Sequence, residues 1–483
     1  MKLPRSFAVP LILSVLASAS LANAQKWQVL KHQPTFVSDT ALLLTDGTVM
    51  VHEFCTSKWH RLTPDNTGSY LNGTWSTLAP LPSKYAPLYF ASEVLADGRV
   101  LVEGGEYNFC KGAETNKGAI YDPVKNEWTD VQPPTGWSQI GDAPSTTLSN
   151  GTVLLGHSGY LPHKASALFD AKTLTWTVKG KGKGKADGFY EEGMELLPNG
   201  MALVVDTQNV PNSEVFNPKT STWSSAGSTI VDLSERSVGY EIGPALLRPD
   251  GTLFATGATG HTAIFSTGTA EWKAGPDLPN KDIAADVPAA VLPNGDVLVE
   301  TSPVSGVPVT FYIFDGTKIV KASSPHNTGV GGGISFAGRL LVLPTGQILY
   351  TLADGSSKDA EIYTAKGTFQ QAWAPTIKSA PTTLTRGSTY KISGTQFNGL
   401  TAGAAYGDDA QMSSNYPLVR ITNNATKHVT YARTHDHSAM GVQTGSKIVW
   451  THFDVPTTME TGASTLEVVA NGIPSKPVSV TVE

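Results

Sequence analysis

The chain of 483 residues is poor in charge and carries an acidic balance. Only 16% of its residues are charged, and its formal net charge at pH 7 is −6. Two of its cations, Lys2 and Arg5, lie in the first 24 residues, so the remainder carries −8. A net negative chain is a poor match for nucleic acid or an anionic membrane surface, and we expect neither partner.

Cysteine is nearly absent, with Cys55 and Cys110 as the only copies. No cysteine and histidine spacing resembles a zinc site. In an oxidising compartment the two can pair as a disulfide, but the sequence leaves the paired and the free state equally open.

Long apolar runs are missing beyond the first residues, which read MKLPRSFAVPLILSVLASASLANAQ. A basic start, an apolar stretch and Ala22-Asn23-Ala24 are typical of a secretory signal peptide over residues 1–24, cleaved before Gln25. No later run is long enough to span a bilayer. We therefore expect a secreted or periplasmic protein without a membrane span.

Glycine and short apolar strands are abundant and repeat along the chain. One strand-turn-strand pattern, seen in PALLRPDGTLFATG, returns seven times about every fifty residues, and its turn glycines are Gly47, Gly98, Gly151, Gly200, Gly251, Gly295 and Gly346. Four copies also place an aromatic residue seven positions before a tryptophan: Tyr121/Trp128, Phe169/Trp176, Phe216/Trp223 and Phe265/Trp272. The number and spacing of these repeats predict an all-β fold, a seven-bladed kelch-like β-propeller over residues 25–373.

The repeat stops near Ala374, and short alternating strands such as TYKISG and YPLVRIT follow to Glu483. They predict an immunoglobulin-like β-sandwich over residues 374–483. Closure of the propeller requires one extra strand, which either residues 26–30 or residues 368–373 can supply.

This architecture, with the segments RLLVLPTGQILYT and Asn471 to Pro474, resembles the galactose oxidase and glyoxal oxidase family of copper radical oxidases. The resemblance implies copper held by two tyrosines and two histidines, one tyrosine being cross-linked to a cysteine. Tyr160 can match one tyrosine, but neither cysteine falls where the cross-link needs it.

The histidine positions that the resemblance implies hold other residues here. The place of the family's Tyr-His pair reads Ile334-Ser335-Phe336-Ala337-Gly338. After Tyr406-Gly407, where the second histidine is expected, Gln411 or a neighbour stands instead. Copper favours imidazole and phenolate donors, so we expect it to be absent.

Acidic residues recur where the strand-turn-strand copies begin, and they are Asp39, Asp142, Glu191, Glu192, Glu241 and Asp286. In a propeller the innermost strand of each blade lines the central channel, so residues just before it surround one mouth. We therefore predict an acid-lined funnel. The Asp408-Asp409 loop would approach it if the C-terminal domain folds back as the resemblance implies.

Three roles stay open for these acids. Asp39, Asp142, Glu241 and Asp286 can ligate a hard cation such as Ca²⁺. Glu241, Glu191, Glu192, Asp142 and Asp286 can act as acid and base on a sugar. Alternatively, each acid accepts backbone N–H bonds from the next blade and serves packing alone.

Other side chains are candidates for substrate binding: Trp137, Tyr160, Arg236 and Tyr89. The alternative for each is loop packing or a local ion pair. The basic loop KGKGKGKADG, residues 179–188, is expected to be a solvated connection or a contact for an acidic polysaccharide. His435 and His437, with His452 as a third partner, are either a metal site or loop-bonded side chains.

The sequence favours a secreted carbohydrate-active propeller with non-redox chemistry on a glycan: hydrolysis, elimination or epimerisation, with Ca²⁺ as the expected cation. A non-catalytic glycan-binding or surface-interaction module is the competing class, so enzyme status stays open. A galactose oxidase-like copper oxidase is the remaining alternative, which the missing ligands disfavour.

Overall fold

A computed structural model describes residues 25–158, 163–179, 183–303, 308–326, 335–353, 355, 358–409 and 411–483. Within these residues the chain is almost entirely β-structure. Helix is limited to four three-residue 3₁₀ turns, at Arg236–Val238, Pro279–Lys281, Ser335–Ala337 and Gln371–Trp373. No helix in the described ranges is long and apolar enough to cross a membrane. The predicted signal segment and Tyr160 lie outside the described residues.

The strands of the first part, in chain order, are β1 (Lys26–Val29), β2 (Ser38–Leu43), β3 (Val49–Glu53), β4 (Trp59–Thr63), β5 (Thr74–Thr77), β6 (Pro87–Leu88), β7 (Ala91–Val94), β8 (Val100–Glu103), β9 (Tyr107–Asn108), β10 (Lys111–Gly112), β11 (Gly118–Asp122), β12 (Glu127–Val131), β13 (Ser145–Thr147), β14 (Val153–Gly156), β15 (Ser166–Asp170), β16 (Thr175–Lys179), β17 (Met194–Leu196), β18 (Ala202–Val205), β19 (Asn212–Asn217), β20 (Thr222–Ser228), β21 (Ile242–Leu247), β22 (Thr252–Gly257), β23 (Thr262–Ser266), β24 (Glu271–Ala274), β25 (Ala289–Val291), β26 (Val297–Thr301), β27 (Thr310–Phe314), β28 (Ile319–Lys321), β29 (Gly338–Val342), β30 (Ile348–Leu352) and β31 (Ala360–Thr364).

These strands form a radial series of antiparallel sheets. Between residues 26 and 364 the described chain contains seven main sheets, whose innermost strands are β2, β7, β13, β17, β21, β25 and β29. The innermost strands of successive sheets contact each other from β7 through β29 to β2. The sheets therefore surround a central channel. A small sheet of β6, β9 and β10 projects beside them.

The repeated sequence marks occupy equivalent places in this series. All seven turn glycines have φ between 76° and 88°, the left-handed region that glycine adopts without a steric penalty. Each of the four aromatic pairs faces across the third and fourth strands of its sheet, with ring centroids 5.0 to 5.3 Å apart. Tilted rings at this distance fill the space between neighbouring sheets.

The N-terminal strand closes the series. β1 pairs antiparallel with β31, from Lys26 opposite Thr364 to Val29 opposite Glu361. The sheet that contains β29 thus combines the two ends of the first part. Residues 368–373 form no strand, and part of this segment is a 3₁₀ turn. Of the two closing segments that the sequence allowed, the structure uses the first.

The second part has eleven strands in the described chain: β32 (Thr376–Ser379), β33 (Thr383–Leu384), β34 (Thr389–Thr395), β35 (Ala404–Ala405), β36 (Leu418–Asn423), β37 (Val429–Ala432), β38 (Thr434–His435), β39 (Val449–Asp454), β40 (Gly462–Ala470), β41 (Ile473–Pro474) and β42 (Val478–Val482). Apart from β35 they form two sheets. A single apolar core, including Ile392, Val419, Phe453 and Val468, lies between these sheets.

The second part packs against the strand-connecting turns of the first. Met440 N donates to Ser149 O at 3.1 Å, and Gln443 Nε2 donates to Arg248 O at 3.0 Å. From this side one segment enters the channel, where β35 pairs with β25. Farther along, Ser92 Oγ donates to Gln411 O at 3.4 Å. Residues 404–409 therefore run beside the innermost strands to the opposite mouth.

Candidate active site

Five carboxylates converge at that mouth. Asp142, Glu191, Glu241 and Asp286 lie one to three residues before β13, β17, β21 and β25, and Asp408 comes from the segment in the channel. Since each of the first four precedes an innermost strand, the ring of sheets carries their side chains to the same end. The funnel, as used below, is the space that these five residues surround.

The carboxylates form two interlocking groups. One oxygen from each of Asp142, Glu191 and Asp408 lies within 4.8 Å of the others, and the same holds for Glu191, Glu241 and Asp286. Glu191 belongs to both groups, so the five acids are one continuous cluster. All-oxygen clusters of this density suit hard cations.

The backbone at the funnel is held in an uncommon conformation. Tyr89, Glu191, Tyr240 and Asp286 have φ of 51°, 56°, 71° and 47°. Non-glycine residues rarely occupy this left-handed region, and such residues concentrate at functional sites. All four lie just before an innermost strand. The left-handed backbone at Glu191 and Asp286 turns their side chains towards the channel, while the following residues lead into the strand.

Burial and mutual repulsion raise the pKa of the funnel acids. The pKa of Glu241 lies far above its usual range because its carboxyl is desolvated and faces Asp286 and Glu191. Burial also raises the pKa of Asp142, Glu191 and Asp408. Ionising all five at once is therefore costly, and a proton or a cation must neutralise part of the charge.

Glu241 and Asp286 form a hydrogen-bonded carboxyl pair. Glu241 Oε2 and Asp286 Oδ1 are buried, and no described residue donates a hydrogen bond to either atom. Asp142 is better satisfied, because Ser158 Oγ donates to its Oδ1 at 3.0 Å. Buried carboxylate oxygens without a donor also occur outside the funnel, at Glu103 and Glu300 for example, so it is their occurrence within a cluster of converging acids that points to a ligand.

Two further acids, Glu106 and Glu114, face the funnel from the loop between β8 and β11. Burial and the neighbouring Asp142 raise the pKa of Glu106 to about 7 and that of Glu114 to about 8. Neither was predicted from the sequence, because neither precedes an innermost strand. In antiparallel sheets the loop joining the second and third strands returns to the same end as the loop that enters the first, so GGEYNFCKGAET carried a usable signal.

The purely structural role is filled by other acids, deeper in the ring. Glu93 accepts from Ser145 Oγ at 3.1 Å and Thr147 Oγ1 at 2.8 Å in the next sheet. Glu195 accepts from Leu247 N at 3.1 Å. These carboxyls join neighbouring sheets as the packing alternative expects, whereas in the described residues no backbone N–H and no Ser or Thr hydroxyl donates to the carboxyl of Glu241 or Asp286.

Glu192, a predicted catalytic residue, lies outside the funnel. It is fully buried, and Lys185 Nζ lies 3.0 Å from its Oε1. The same ammonium contacts Asp187 and Glu214 at 2.6 Å, and Asp206 at 3.8 Å. Successive residues point to different sides, so only Glu191 can face the channel. Lys185, expected in a solvated loop, is instead the centre of a buried ion cluster.

Asp39, a predicted metal ligand, is also separate from the five carboxylates. Its Oδ2 lies 3.1 Å from His52 Nδ1, and its Oδ1 lies 3.5 Å from Arg339 Nη2. Burial alone would raise the pKa of Asp39, but the hydrogen bond to His52 and the Arg339 charge lower it. The carboxyl of Asp39 is thus held by His52 and Arg339 and is not a free ligand.

The predicted substrate-binding residues are placed as follows. Trp137 is buried and its ring stacks on His157 at 4.0 Å, so this face is not open to a sugar. Tyr89 packs against Tyr406 and lies 5.5 Å from the Arg339 guanidinium. Arg236 is exposed and forms no ion pair with any described residue.

Two half-buried tyrosines that the sequence did not single out, Tyr190 and Tyr240, flank the funnel with ring centroids 6.2 Å apart.

A disulfide joins Cys55 to Cys110. Cys110 lies between β9 and β10, in the hairpin whose base carries Glu106 and Glu114. The bond therefore ties this acidic loop to the sheet that contains β3.

Comparisons with known proteins identify the fold. No family model matches the chain. Over 92 residues, 19% of each chain, it is 30% identical to a kelch-like protein, terF, of Aspergillus terreus. A fungal alcohol oxidase of the AA5 family, solved in complex with copper, is 16% identical with a TM-score of 0.54, covering 95% of this chain and 100% of that one. The chain is a kelch-type, galactose oxidase-like β-propeller in its fold.

A second solved structure resembles the propeller more distantly. It is the extracellular domain of a hybrid two-component system from B. thetaiotaomicron, with 11% identity and a TM-score of 0.49, covering 96% of this chain and 59% of that one. The curated kelch-like relative is matched over about a fifth of its length. At these identities the likeness extends to the fold and not to the activity.

The residues of the funnel do not fit the copper ligands that this fold suggests. Neither carboxylate group contains a histidine in the described residues. Phe336 stands at the place of the Tyr-His pair, and its carbonyl accepts from Tyr406 Oη at 2.9 Å. Gln411 donates to a backbone carbonyl of its own loop. Both cysteines of the chain are in the disulfide, so neither is available for a thioether to tyrosine.

Proposed function

We propose that the chain is an exported, carbohydrate-active protein, a seven-bladed propeller with an immunoglobulin-like domain, whose funnel holds a hard divalent cation and acts on a glycan by non-redox chemistry. The observation that carries this proposal is the convergence of five carboxylates whose pKa values are raised and two of which keep an unpaired buried oxygen. Ca²⁺ is the expected cation because every donor is oxygen.

The funnel residues have two roles in this proposal, cation binding and proton transfer. Asp142, Glu191 and Asp408 would hold the cation, which supplies positive charge for a substrate oxygen. Glu241 retains its proton and can donate it, while Asp286 is its ionised partner. A protonated carboxyl beside an ionised one is the arrangement that acid and base catalysis requires. An open face of stacked aromatics would instead support a binding module, and Trp137 does not provide one.

The geometry favours elimination or epimerisation over hydrolysis for the Glu241 and Asp286 pair. Glycosidases keep their two carboxyls about 5 Å or more apart, on either side of the scissile bond. One oxygen of Glu241 and one of Asp286 lie within 4.8 Å of each other and the two carboxyls interact directly, which is a closer approach than glycosidase carboxyls make. In elimination Asp286 would take the proton next to a sugar carboxylate as the neighbouring C–O bond breaks, and Glu241 would protonate the departing oxygen.

The test is a screen of neutral and acidic oligosaccharides with the mature protein in Ca²⁺ or in EDTA. We expect unsaturated or epimerised products, detected by mass spectrometry and NMR, in Ca²⁺ only. Glu241→Gln should lower turnover at least a hundredfold, in line with the loss of an acid catalyst. Glu235→Gln, an exposed carboxyl of the same loop, is the matched control and should retain it. Binding without turnover, unchanged in Glu241→Gln, would favour the glycan-binding module.

One observation favours the oxidase alternative: the likeness to a copper-containing AA5 alcohol oxidase. The direct check is incubation with Cu²⁺, an oxidant and simple alcohols, with hydrogen peroxide as the readout. We expect no hydrogen peroxide, because the funnel offers carboxylates where such chemistry uses imidazole and phenolate.

A further inference from the structure

We propose that His435, Asp436 and His452 form a second metal site, which binds a divalent transition-metal ion, with Zn²⁺ as the expected occupant, on the outer side of the C-terminal sheets. This site is separate from the funnel and does not depend on the proposed function. Sequence reasoning paired His435 with His437, but the structure brings a different set of side chains together.

Strand pairing places the two histidines side by side. His435 in β38 is directly opposite His452 in β39, and their ring centroids are 5.7 Å apart. Asp436 follows with φ of 52°, which turns its carboxylate back over the pair. Its Oδ2 lies 2.8 Å from His435 Nδ1 and 3.6 Å from His452 Nδ1. His437 is excluded, because it is buried and its Nδ1 bonds to Thr451 Oγ1 at 2.8 Å.

The three donor atoms fit one ion. They all lie within 4.8 Å of one another, and ligands of a tetrahedral zinc ion are about 3.3 Å apart given bonds of about 2.0 to 2.1 Å. Two imidazoles and a carboxylate suit Zn²⁺, Ni²⁺ or Cu²⁺ better than Ca²⁺. The side chains of Asp436 and His452 are 56% and 33% exposed, so solvent can supply the remaining ligands.

The surroundings orient the first histidine for metal binding. His435 Nε2 lies 3.2 Å from Asp454 Oδ1. Asp454 is itself held by Thr389 Oγ1 at 2.6 Å and Arg433 Nη1 at 3.2 Å. When Nε2–H donates to this carboxylate, Nδ1 is left with its lone pair towards Asp436 and His452. In many protein metal sites a carboxylate accepts a hydrogen bond from the ring nitrogen of a histidine that does not bind the ion. Asp454 has this position relative to His435.

The competing arrangement is an ion-pair network without metal, in which a protonated His435 bridges Asp436 and Asp454. Both arrangements use the same contacts, His452 to Asp436 included, but only the metal site makes zinc binding depend on His452. Asp454 also distinguishes the two arrangements, because loss of a carboxylate that orients a metal-bound histidine typically weakens metal binding 10- to 100-fold.

The test is titration of Zn²⁺ by calorimetry into the EDTA-treated mature protein in saturating Ca²⁺, which keeps the funnel carboxylates occupied. We expect one site that His452→Ala and His435→Ala each abolish and that Asp454→Asn weakens about 10- to 100-fold. The control is His428→Ala, which should leave binding unchanged, since His428 bonds to Glu460 at 2.7 Å and to Asn66 Nδ2 at 2.9 Å and to none of the proposed ligands.

A second readout locates the ion. The Trp450 ring lies 5.1 Å from that of His452, so Cu²⁺ at the site should quench its emission. Trp450→Phe should lose this quenching while still binding the metal. Zinc binding that survives His452→Ala, or that is indifferent to Asp454→Asn, would overturn the proposal and leave the ion-pair network.

Discussion

Replacing Glu241 by glutamine should change how the stability of the metal-free protein depends on pH. The folded state keeps a proton on Glu241, because burial and the facing Asp286 and Glu191 raise its pKa far above the 4.5 of a free glutamate. The unfolded chain releases that proton as pH rises through about 4.5. The stability that Glu241 confers is therefore present below this pH and is lost progressively above it.

The size of the effect follows from proton linkage. For one proton retained in the folded state, the free energy of unfolding falls by about 1.4 kcal/mol for each pH unit above the pKa of the unfolded state. Between pH 5.5 and 7.5 the contribution of Glu241 should thus fall by about 2.7 kcal/mol. Glutamine has no proton to retain, so Glu241→Gln should lack this part of the pH dependence.

The assay is urea unfolding in EDTA at both pH values, with Glu235→Gln as the control on the same loop. The difference between the two pH values therefore reports Glu241 together with the carboxyls that face it, Asp286 and Glu191, because the remaining buried acids titrate alike in all three proteins. Equal pH dependences for the wild type and Glu241→Gln in EDTA would refute the reasoning, because Glu241 would then be ionised without metal.

Three other substitutions test the scaffold by chemical unfolding. Lys185→Met should destabilise by about 3 to 5 kcal/mol, since it leaves buried carboxylates without their cation, whereas the exposed neighbour Lys183→Met should change little. Replacing Cys55 and Cys110 by serine should cost about 4 kcal/mol for a loop with a sequence separation of 55, and no loss would mean that the bond is not formed in solution. Gly118→Ala should cost about 1 to 3 kcal/mol, because its Cβ would clash with a buried glutamate carboxyl; wild-type stability would show that this contact is loose.

Much of the fold could be predicted because its signals repeat. The turn glycines and the Phe216/Trp223 type of aromatic pair each occur at equivalent positions in several sheets, so one misread copy does not change the pattern. Such marks report local backbone and cross-strand geometry, which depend on a few neighbouring residues. Closure by β1 was less accessible, since two segments had suitable composition and only the tertiary pairing with β31 decides between them.

The site could be predicted only in outline. Position along the repeat located Asp142, Glu191, Glu241 and Asp286 near one mouth. It could not separate Glu191 from Glu192, because a left-handed backbone at the first decides which side chain faces the channel.

Partners from distant segments were equally hidden from the sequence. Asp39 is engaged by Arg339, three hundred residues away. Lys185 reads as part of a flexible basic loop until its four acidic neighbours are seen together.

The most direct test of the central claim is elemental analysis of the mature protein purified without chelator, for the wild type and for Asp142→Asn with Glu241→Gln. We predict a hard divalent cation, Ca²⁺ in the first place, bound stoichiometrically in the wild type and lost in the folded double variant. Stoichiometric copper, or an equal cation content in both proteins, would contradict the assignment of the funnel carboxylates as its ligands.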